Sequence, residues 1–183
     1  MSAPSGTGKS SIIKHLMQTR PDLDLHFSIS ATSRAPRTGE MHEREYYFLT
    51  KEEFERKIAA DEFIEWEEVY EGTYYGTLES EVKKKVDEGH TVIMDIDVKG
   101  SLNVKKRFGD KALAIFIMPP SIQELEVRLQ NRGTDTPDDV ARRLAKAGYE
   151  LTFAPKFDCI VVNDDFFRAA DEVADKIKEF RPC

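Results

Sequence analysis

The sequence predicts an α/β domain: an open parallel sheet covered on both faces by helices, with a mostly antiparallel insertion between about residues 30 and 80. Three observations carry this. TVIMDID (91–97) and KALAIFIMPP (111–120) contain continuous apolar runs, as strands buried on both faces do. Segments of helical periodicity alternate with such runs through the second half. Between residues 44 and 77 the short segments REYYFLT, FIEWEEVY and TYYGT are aromatic-rich or alternating, as small half-exposed strands are.

Each element follows from a local signal. Residues 9–20 place apolar side chains at 12, 13, 16 and 17, a helical spacing that Pro21 ends. HFSISATS (26–33) and REYYFLT (44–50) read as strands. Thr50 and Glu53 form a capping box that opens a helix to about Ala60. FIEWEEVY (63–70) alternates as a half-exposed strand, and TYYGT (73–77) leads into a helix at 79–88 closed by Gly89. Strands follow at 91–97 and 111–120, the latter stopped by Pro119 and Pro120. Ser121 caps a helix to about Asn131. A further helix covers 137–151 with Pro137 in its first turn, then a strand at 158–163 and a closing helix at 166–180.

The 183 residues suffice for one domain with a sizeable core, and 40% hydrophobic with 33% charged is an ordinary globular balance. The formal net charge of −7 speaks against nonspecific wrapping of nucleic acid, so anionic ligands must be met by local clusters of basic groups. No apolar run approaches the roughly 20 residues that span a bilayer, and the first residues lack a basic-then-apolar leader pattern. Cys159, in an apolar run, reads as a small core residue; Cys183 is incidental, and a disulfide is not expected. These features point to the cytoplasm and to small-molecule partners rather than membranes. They set no expectation for oligomeric state.

The strongest local signal is SAPSGTGKSS (2–11). Its end, Gly8-Lys9-Ser10, fits the phosphate-binding pattern G-x-x-x-x-G-K-[ST], with Ala3 where the first glycine is expected. Phosphate oxygens need many donors packed close together. Glycines let the backbone wrap tightly and aim its N–H groups inward, and the helix that follows adds its N-terminal dipole. Ser5, Gly6, Thr7, Gly8, Lys9, Ser10 and Ser11 are therefore the candidate residues for binding nucleotide phosphates, and a glycine-rich turn that merely starts a helix is the alternative. Lys9 supplies a point charge for the β- and γ-phosphates, and the Ser10 hydroxyl can ligate Mg²⁺. Alanine costs little at position 3 where φ is negative. Such a loop normally follows a buried parallel strand, yet only Met1 and Ser2 precede it here. Asp95 and Asp97 end an apolar strand at its carboxyl edge, where open α/β sheets place ligands. Asp95 is a candidate for water-mediated contact with Mg²⁺, and equally fits an ordinary strand-end acid.

A second constellation is SISATSRAPRTGE (28–40), followed by Tyr46. Arg34 and Arg37 are three apart with Pro36 stiffening the turn, which suits bidentate capture of a dianionic phosphate; two arginines alone fit a solvated surface as well. Together with EYYFL, FIEW, YYGT, IMDIDVKG, MPPS, RLQNRGTDT and IVVNDD, all in one order, these segments resemble the guanylate kinase family over nearly the whole chain.

The resemblance implies a P-loop NTPase fold, a three-layer αβα core of residues 1–29, 81–127 and 149–183. It implies a small mixed-β GMP-binding region at about 30–80 and a helical lid at about 128–148, all in a single domain. It implies transfer of the γ-phosphoryl group of ATP onto GMP, with dGMP as a second acceptor. Arg34, Arg37, Tyr46 and Tyr75 would hold the GMP phosphate. Glu65, with Asp97 nearby, would read guanine, whose N1–H and N2–H₂ both donate on one edge; Ser30 and Thr77 would face the base. On pattern alone, a Glu in an amphipathic strand reads as solvated. Arg132 and Arg143 would close over the ATP phosphates and Asn163 would position adenine, while Arg128 and Arg142 read as a solvated helix face. The charge for transfer is expected from Lys9, Mg²⁺, Arg34, Arg132 and Arg143, with no general base, because a phosphate oxygen is already a competent nucleophile. Histidines 15, 26, 42 and 90 read as surface or edge residues.

Two other readings remain at this point. Guanylate-kinase-like domains of scaffold proteins bind protein partners without catalysis, but usually lack a good P-loop. A kinase for another monophosphate would not need Glu65 or SISATSR. The leading reading requires two anion pockets, one from Gly6 to Ser10 and one around Arg34 and Arg37, that meet across a closable cleft.

Overall fold

In the computed structural model, residues 1–131 and 136–180 are described; Arg132, Gly133 and Cys183 lie outside them. The chain divides into two compact units, Met1–Asp24 with Asp95 onward, and Leu25–Met94. The expected insertion at 30–80 lies within the second, which also takes in the flanking strand pair and helix.

In the first unit, α1 (Lys9–Thr19) buries Ile12, Ile13 and Leu16 as its spacing requires. β7 (Ile115–Met118) pairs in parallel with β8 (Cys159–Val162). Ile115, Phe116 and Ile117 are at most 2% exposed on consecutive positions, so both faces of β7 are covered. β8 is buried only at Val161, with Ile160 and Val162 exposed and Cys159 half-buried. α7 (Phe166–Phe180) buries Ala169, Ala170, Val173, Ala174 and Ile177, a stripe of helical period that packs on α1 and β8. α5 (Ile122–Asn131) begins where the Ser121 hydroxyl accepts from the Glu124 N–H. α6 (Pro137–Leu151) opens on a capping box between Thr136 and Asp139. Leu125 and Leu129 of α5 pack against Val140 and Ala147 of α6.

One helix here was not expected. α4 (Val98–Phe108) is capped by the Asp97 carboxylate, which accepts from the Gly100 N–H at 2.7 Å, and ends at Gly109 with φ +55°. Its signals were present: an N-cap acid, Val98 and Leu102 four apart, a basic last turn and a terminal glycine.

The residues ahead of the glycine-rich loop hold a strand position despite their small number. The Ser2 N–H donates to Ile115 O (2.9 Å), the Ile117 N–H donates to Ser2 O (2.8 Å), and the Ile96 N–H donates to Met1 O (3.3 Å). Ser2 is fully buried, with its hydroxyl bonded to the carbonyls of Ile96 and Asp97 and to Ser101.

The second unit holds a parallel pair, β1 (Leu25–Phe27) with β6 (Thr91–Ile93), and a four-stranded sheet of order β3-β2-β5-β4. Its strands are β2 (Ala31–Thr32), β3 (Tyr47–Phe48), β4 (Phe63–Tyr70) and β5 (Thr73–Leu78). All pairs but β2–β3 are antiparallel. The expected strand 26–33 is thus two, because residues 25–27 bond to β6 while 31–32 bond to β3 and β5. The expected strand 91–97 keeps ladder bonds only over Thr91–Ile93. α2 (Lys51–Ala59) starts at the predicted Thr50–Glu53 capping box and sets Phe54 against Phe63 and Tyr74. With Ala31 and Leu78 these form the unit's core on one face of the sheet. α3 (Glu79–Asp87) follows β5 directly, and Gly89 turns the chain at φ +90°.

Candidate active site

The loop from Ser2 to α1 owes its shape to two glycines. Gly6 and Gly8 have φ of +94° and +96°, where a side chain is strained, whereas Ala3 has negative φ and alanine is at home there. Both glycines also face close neighbours. A Cβ on Gly6 would sit 2.9 Å from Leu129 Cδ2, and one on Gly8 2.6 Å from Asn163 Nδ2. Asn163 is 4% exposed and donates from Nδ2 to Thr7 O at 2.6 Å, clamping the loop from the end of β8. Arg128 donates from one terminal nitrogen to Asn163 O at 3.0 Å and from Nε to Glu124 at 3.0 Å. Arg128 is therefore a strut behind the clamp and not a merely solvated residue; Arg142, largely exposed and paired with Asp139, is the solvated one.

Lys9, at the first position of α1, pairs with Asp95 and points Nζ at Ile96 O. Ser10 Oγ donates to the other oxygen of Asp95 at 2.8 Å. Asp95 thus gathers the ammonium and the hydroxyl at the mouth of the loop. Ser5 Oγ, also at the mouth, accepts from Arg143 at 2.8 Å. Ser11 is exposed on α1. Arg132, expected to act with Arg143, lies outside the described residues. Asp97 belongs to this unit and caps α4.

In the second unit, antiparallel register puts Tyr75 and Thr77 on one face of β5, opposite the aromatic core, with Glu65 facing Thr77. The Thr77 hydroxyl, 1% exposed, donates to Glu65 Oε1 at 2.6 Å. Glu65 is half-buried and held, which the alternation of its strand did not reveal. Arg34 donates from Nε to Tyr75 Oη (3.2 Å) and lies 5.1 Å from the Tyr46 ring centroid. Tyr46 and Tyr75 meet edge to face at 5.9 Å. Arg37 is exposed, and Ser30 is half-buried between β1 and β2.

Glu40, which sequence reasoning left without a role, organises this arginine loop. It takes a two-pronged bond from Arg34 at 2.6 and 2.8 Å and accepts from the Arg37 N–H at 2.7 Å. These donors hold its carboxyl down at about 2, the Arg34 contact first, and Glu40 in turn raises Arg34 further. Its place six residues after Arg34 in a Pro- and Gly-bearing turn was the available signal. Of the histidines, His42 accepts from the Phe48 N–H at 3.1 Å, while His26 and His90 stack at 3.7 Å between β1 and β6.

The family model described as Guanylate kinase matches residues 1–180. The chain is 54% identical over 179 residues to a guanylate kinase of Bacteroides thetaiotaomicron, covering 98% of this chain and 87% of that one. It is also 54% identical over 180 residues to one of Porphyromonas gingivalis, covering 98% and 95%. The crystal structure of guanylate kinase from Anaplasma phagocytophilum superposes with a TM-score of 0.69 at 29% identity, covering 97% of this chain and 82% of that one. The match to the family model over residues 1–180 and the identity of more than half to curated relatives along nearly the whole chain show that this protein belongs to the guanylate kinase family.

Proposed function

We propose that this protein transfers the γ-phosphoryl group of ATP to GMP, giving ADP and GDP. The observation that supports it most directly is the shared face of Tyr75, Thr77 and Glu65 beside Arg34 and Tyr46. That face offers a carboxylate for the two donors of guanine and basic and phenolic groups for a phosphate. Adenine, with an acceptor at N1, would set a lone pair against the same carboxylate.

A GMP phosphate oxygen attacks the γ-phosphorus, and the bond from that phosphorus to the oxygen bridging to the β-phosphorus breaks. The chain's task is placement and charge. The loop N–H groups, the α1 N-terminus and Lys9 cradle the ATP phosphates; Arg34, Arg37, Tyr46 and Tyr75 hold the acceptor phosphate. Arg143 and Arg132 add charge at transfer, Asn163 keeps the loop in shape on the adenine side, and Ser30 adds to the guanine contacts. Ser10 Oγ and the Asp95 carboxylate are hard oxygen donors brought together at the loop mouth, a set that fits Mg²⁺. Mg²⁺ held there would neutralise charge on the β- and γ-phosphate oxygens. The regions at about 30–80 and 128–148 are the parts that would close to exclude water. No helix among the described residues is long and apolar enough to cross a membrane, and we place the enzyme in the cytoplasm.

A coupled ADP-release assay across GMP, AMP, UMP and CMP tests the reading. Turnover with GMP far above the others is expected, and Glu65→Ala should raise KM for GMP while leaving KM for ATP near wild type. A flat response to GMP would move the protein to the non-catalytic binding modules.

A further inference from the structure

A buried carboxylate needs several donors to offset its lost hydration. Glu81, in the first turn of α3, is 8% exposed. It accepts from Lys85 one turn on, from Tyr47 Oη at 3.0 Å and, as a long contact, from the Ile29 N–H at 3.5 Å. Lys85 Nζ also donates to Phe27 O at 2.8 Å. The donors thus come from three segments: α3 itself, β3, and the three residues that carry the chain from β1 to β2.

Those three residues are Ser28, Ile29 and Ser30. Their backbone leaves the β1–β6 pair when the Ser28 N–H donates to Ile93 O (3.0 Å), and joins the four-stranded sheet when Ser30 O accepts from the Tyr47 N–H (2.9 Å). Glu81 grips Ile29, the residue before Ser30, and Tyr47, the residue bonded to Ser30. Tyr47 is also the chain neighbour of Tyr46, whose ring lies beside Arg34. We infer that Glu81, through Tyr47 and Lys85, is a positioning residue for GMP, setting the placement of Ser30 and Tyr46 without touching the substrate. This rests on the GMP site proposed above. Burial and the Glu81 contact push the Tyr47 hydroxyl up to about 12, so it stays a donor at neutral pH. The sequence around Glu81 gives no hint of the role, since ESEVKKKVD reads as a solvated helix with acid at its start and lysine at its end.

The test is steady-state kinetics on the full chain. Glu81→Gln keeps the volume but replaces one accepting oxygen with an NH₂ group that cannot accept from Tyr47, Ile29 or Lys85. It should raise KM for GMP about tenfold, equivalent to about 1.4 kcal/mol of lost positioning, and leave KM for ATP within about twofold. Tyr47→Phe removes a single oxygen and carries the test should Glu81→Gln fail to fold; it should raise KM for GMP about threefold. The double variant should resemble Glu81→Gln alone. A purely structural ion pair would lower the melting temperature and leave the ratio of the two KM values unchanged, which would overturn the inference. Arg37→Ala in the same assay separates the two levels. If it raises KM for GMP while Glu81→Gln and Tyr47→Phe do not, only the positioning role fails; if it leaves KM for GMP unchanged, the site itself is misplaced and the inference falls with it.

Discussion

Gly8→Ala should destabilise the protein through backbone strain and a displaced neighbour. The position has φ +96° and ψ 8°, and a left-handed alanine costs roughly 1–2 kcal/mol. The new Cβ would lie 2.6 Å from Asn163 Nδ2, whose N–H donates to Thr7 O at the same distance. Asn163 is buried and pinned by its own backbone bond to Met118 O, so it cannot swing away without breaking the clamp. The severed bond leaves a buried amide and carbonyl unmatched, at about 1–3 kcal/mol. Together the loss is about 2–5 kcal/mol, or a melting temperature lower by roughly 4–20 °C for a chain of this size. Calorimetric melts of wild type, Gly8→Ala, Asn163→Ala and the double variant check this. Asn163→Ala already loses the clamp, so the double variant should fall short of additivity by about 1–3 kcal/mol. A Gly8→Ala melt within 1–2 °C of wild type, or strict additivity, would refute the argument that Asn163 is what the glycine makes room for.

Gly76→Ala meets backbone instead of a side chain: its Cβ would lie 2.7 Å from Glu65 O and 2.9 Å from Trp66 Cβ, in a strand paired on both sides. Spreading β4 from β5 should cost about 1–3 kcal/mol and, by displacing Tyr75, Thr77 and Glu65, raise KM for GMP more than KM for ATP; equal shifts in paired kinetic assays would contradict it. For Glu40, the folded carboxyl titrates at about 2 against an ordinary 4.5. The unfolded chain therefore takes up the proton first, and the pairing favours the folded state above pH 4.5 and loses that favour as pH falls towards 2. The gap in melting temperature between wild type and Glu40→Gln should hold steady above about pH 5.5 and close below 4.5. A gap independent of pH would show that the Glu40 carboxyl is not lowered in the folded chain.

Elements with a one-dimensional signal were legible, and those set by pairing were not. Lys51–Ala59 and Phe166–Phe180 could be read within a residue or so because a cap and a stripe of period 3.6 act within a few residues. The break at 28–30 was invisible: nothing in HFSISATS says that its two ends bond to different strands. α4 hides behind an apolar run that looks like one strand to Asp97: the ladder ends at Ile93, and the acid that resembles a strand end is a helix cap. The loop residues were legible for a similar reason to the helices, since glycine spacing reflects backbone φ, a local quantity. Glu65, Arg128 and Glu81 had no such marker. Each lies on an amphipathic element whose pattern reads as solvent-facing, and only the partners Thr77, Asn163 and Tyr47, distant in sequence, show that they are held.

On the proposed function, an acidic chain must handle two polyanions, and the two cations assigned to them are held in the same way. The net charge of −7 gives no general attraction for phosphate, so the positive groups must be held in place. Each has a carboxylate of its own unit for this: Asp95 holds Lys9, and Glu40 holds Arg34. A free Lys or Arg gives up about 1.5–2 kcal/mol of rotamer freedom when a ligand fixes it. A side chain already fixed has met that cost on folding, so an arriving phosphate need only share or displace the internal partner. Glu40 leaves Arg34 fewer free donors for a phosphate, but its second contact, to the Arg37 N–H, sets the turn on which both arginines stand. Removing Glu40 on this reasoning frees the guanidinium and loosens the loop together. A gain in GMP affinity on Glu40→Gln would mean that competition outweighs placement; a loss in calorimetric titration is the outcome the geometry favours, because one carboxylate fixes two segments of the loop and not merely one charge.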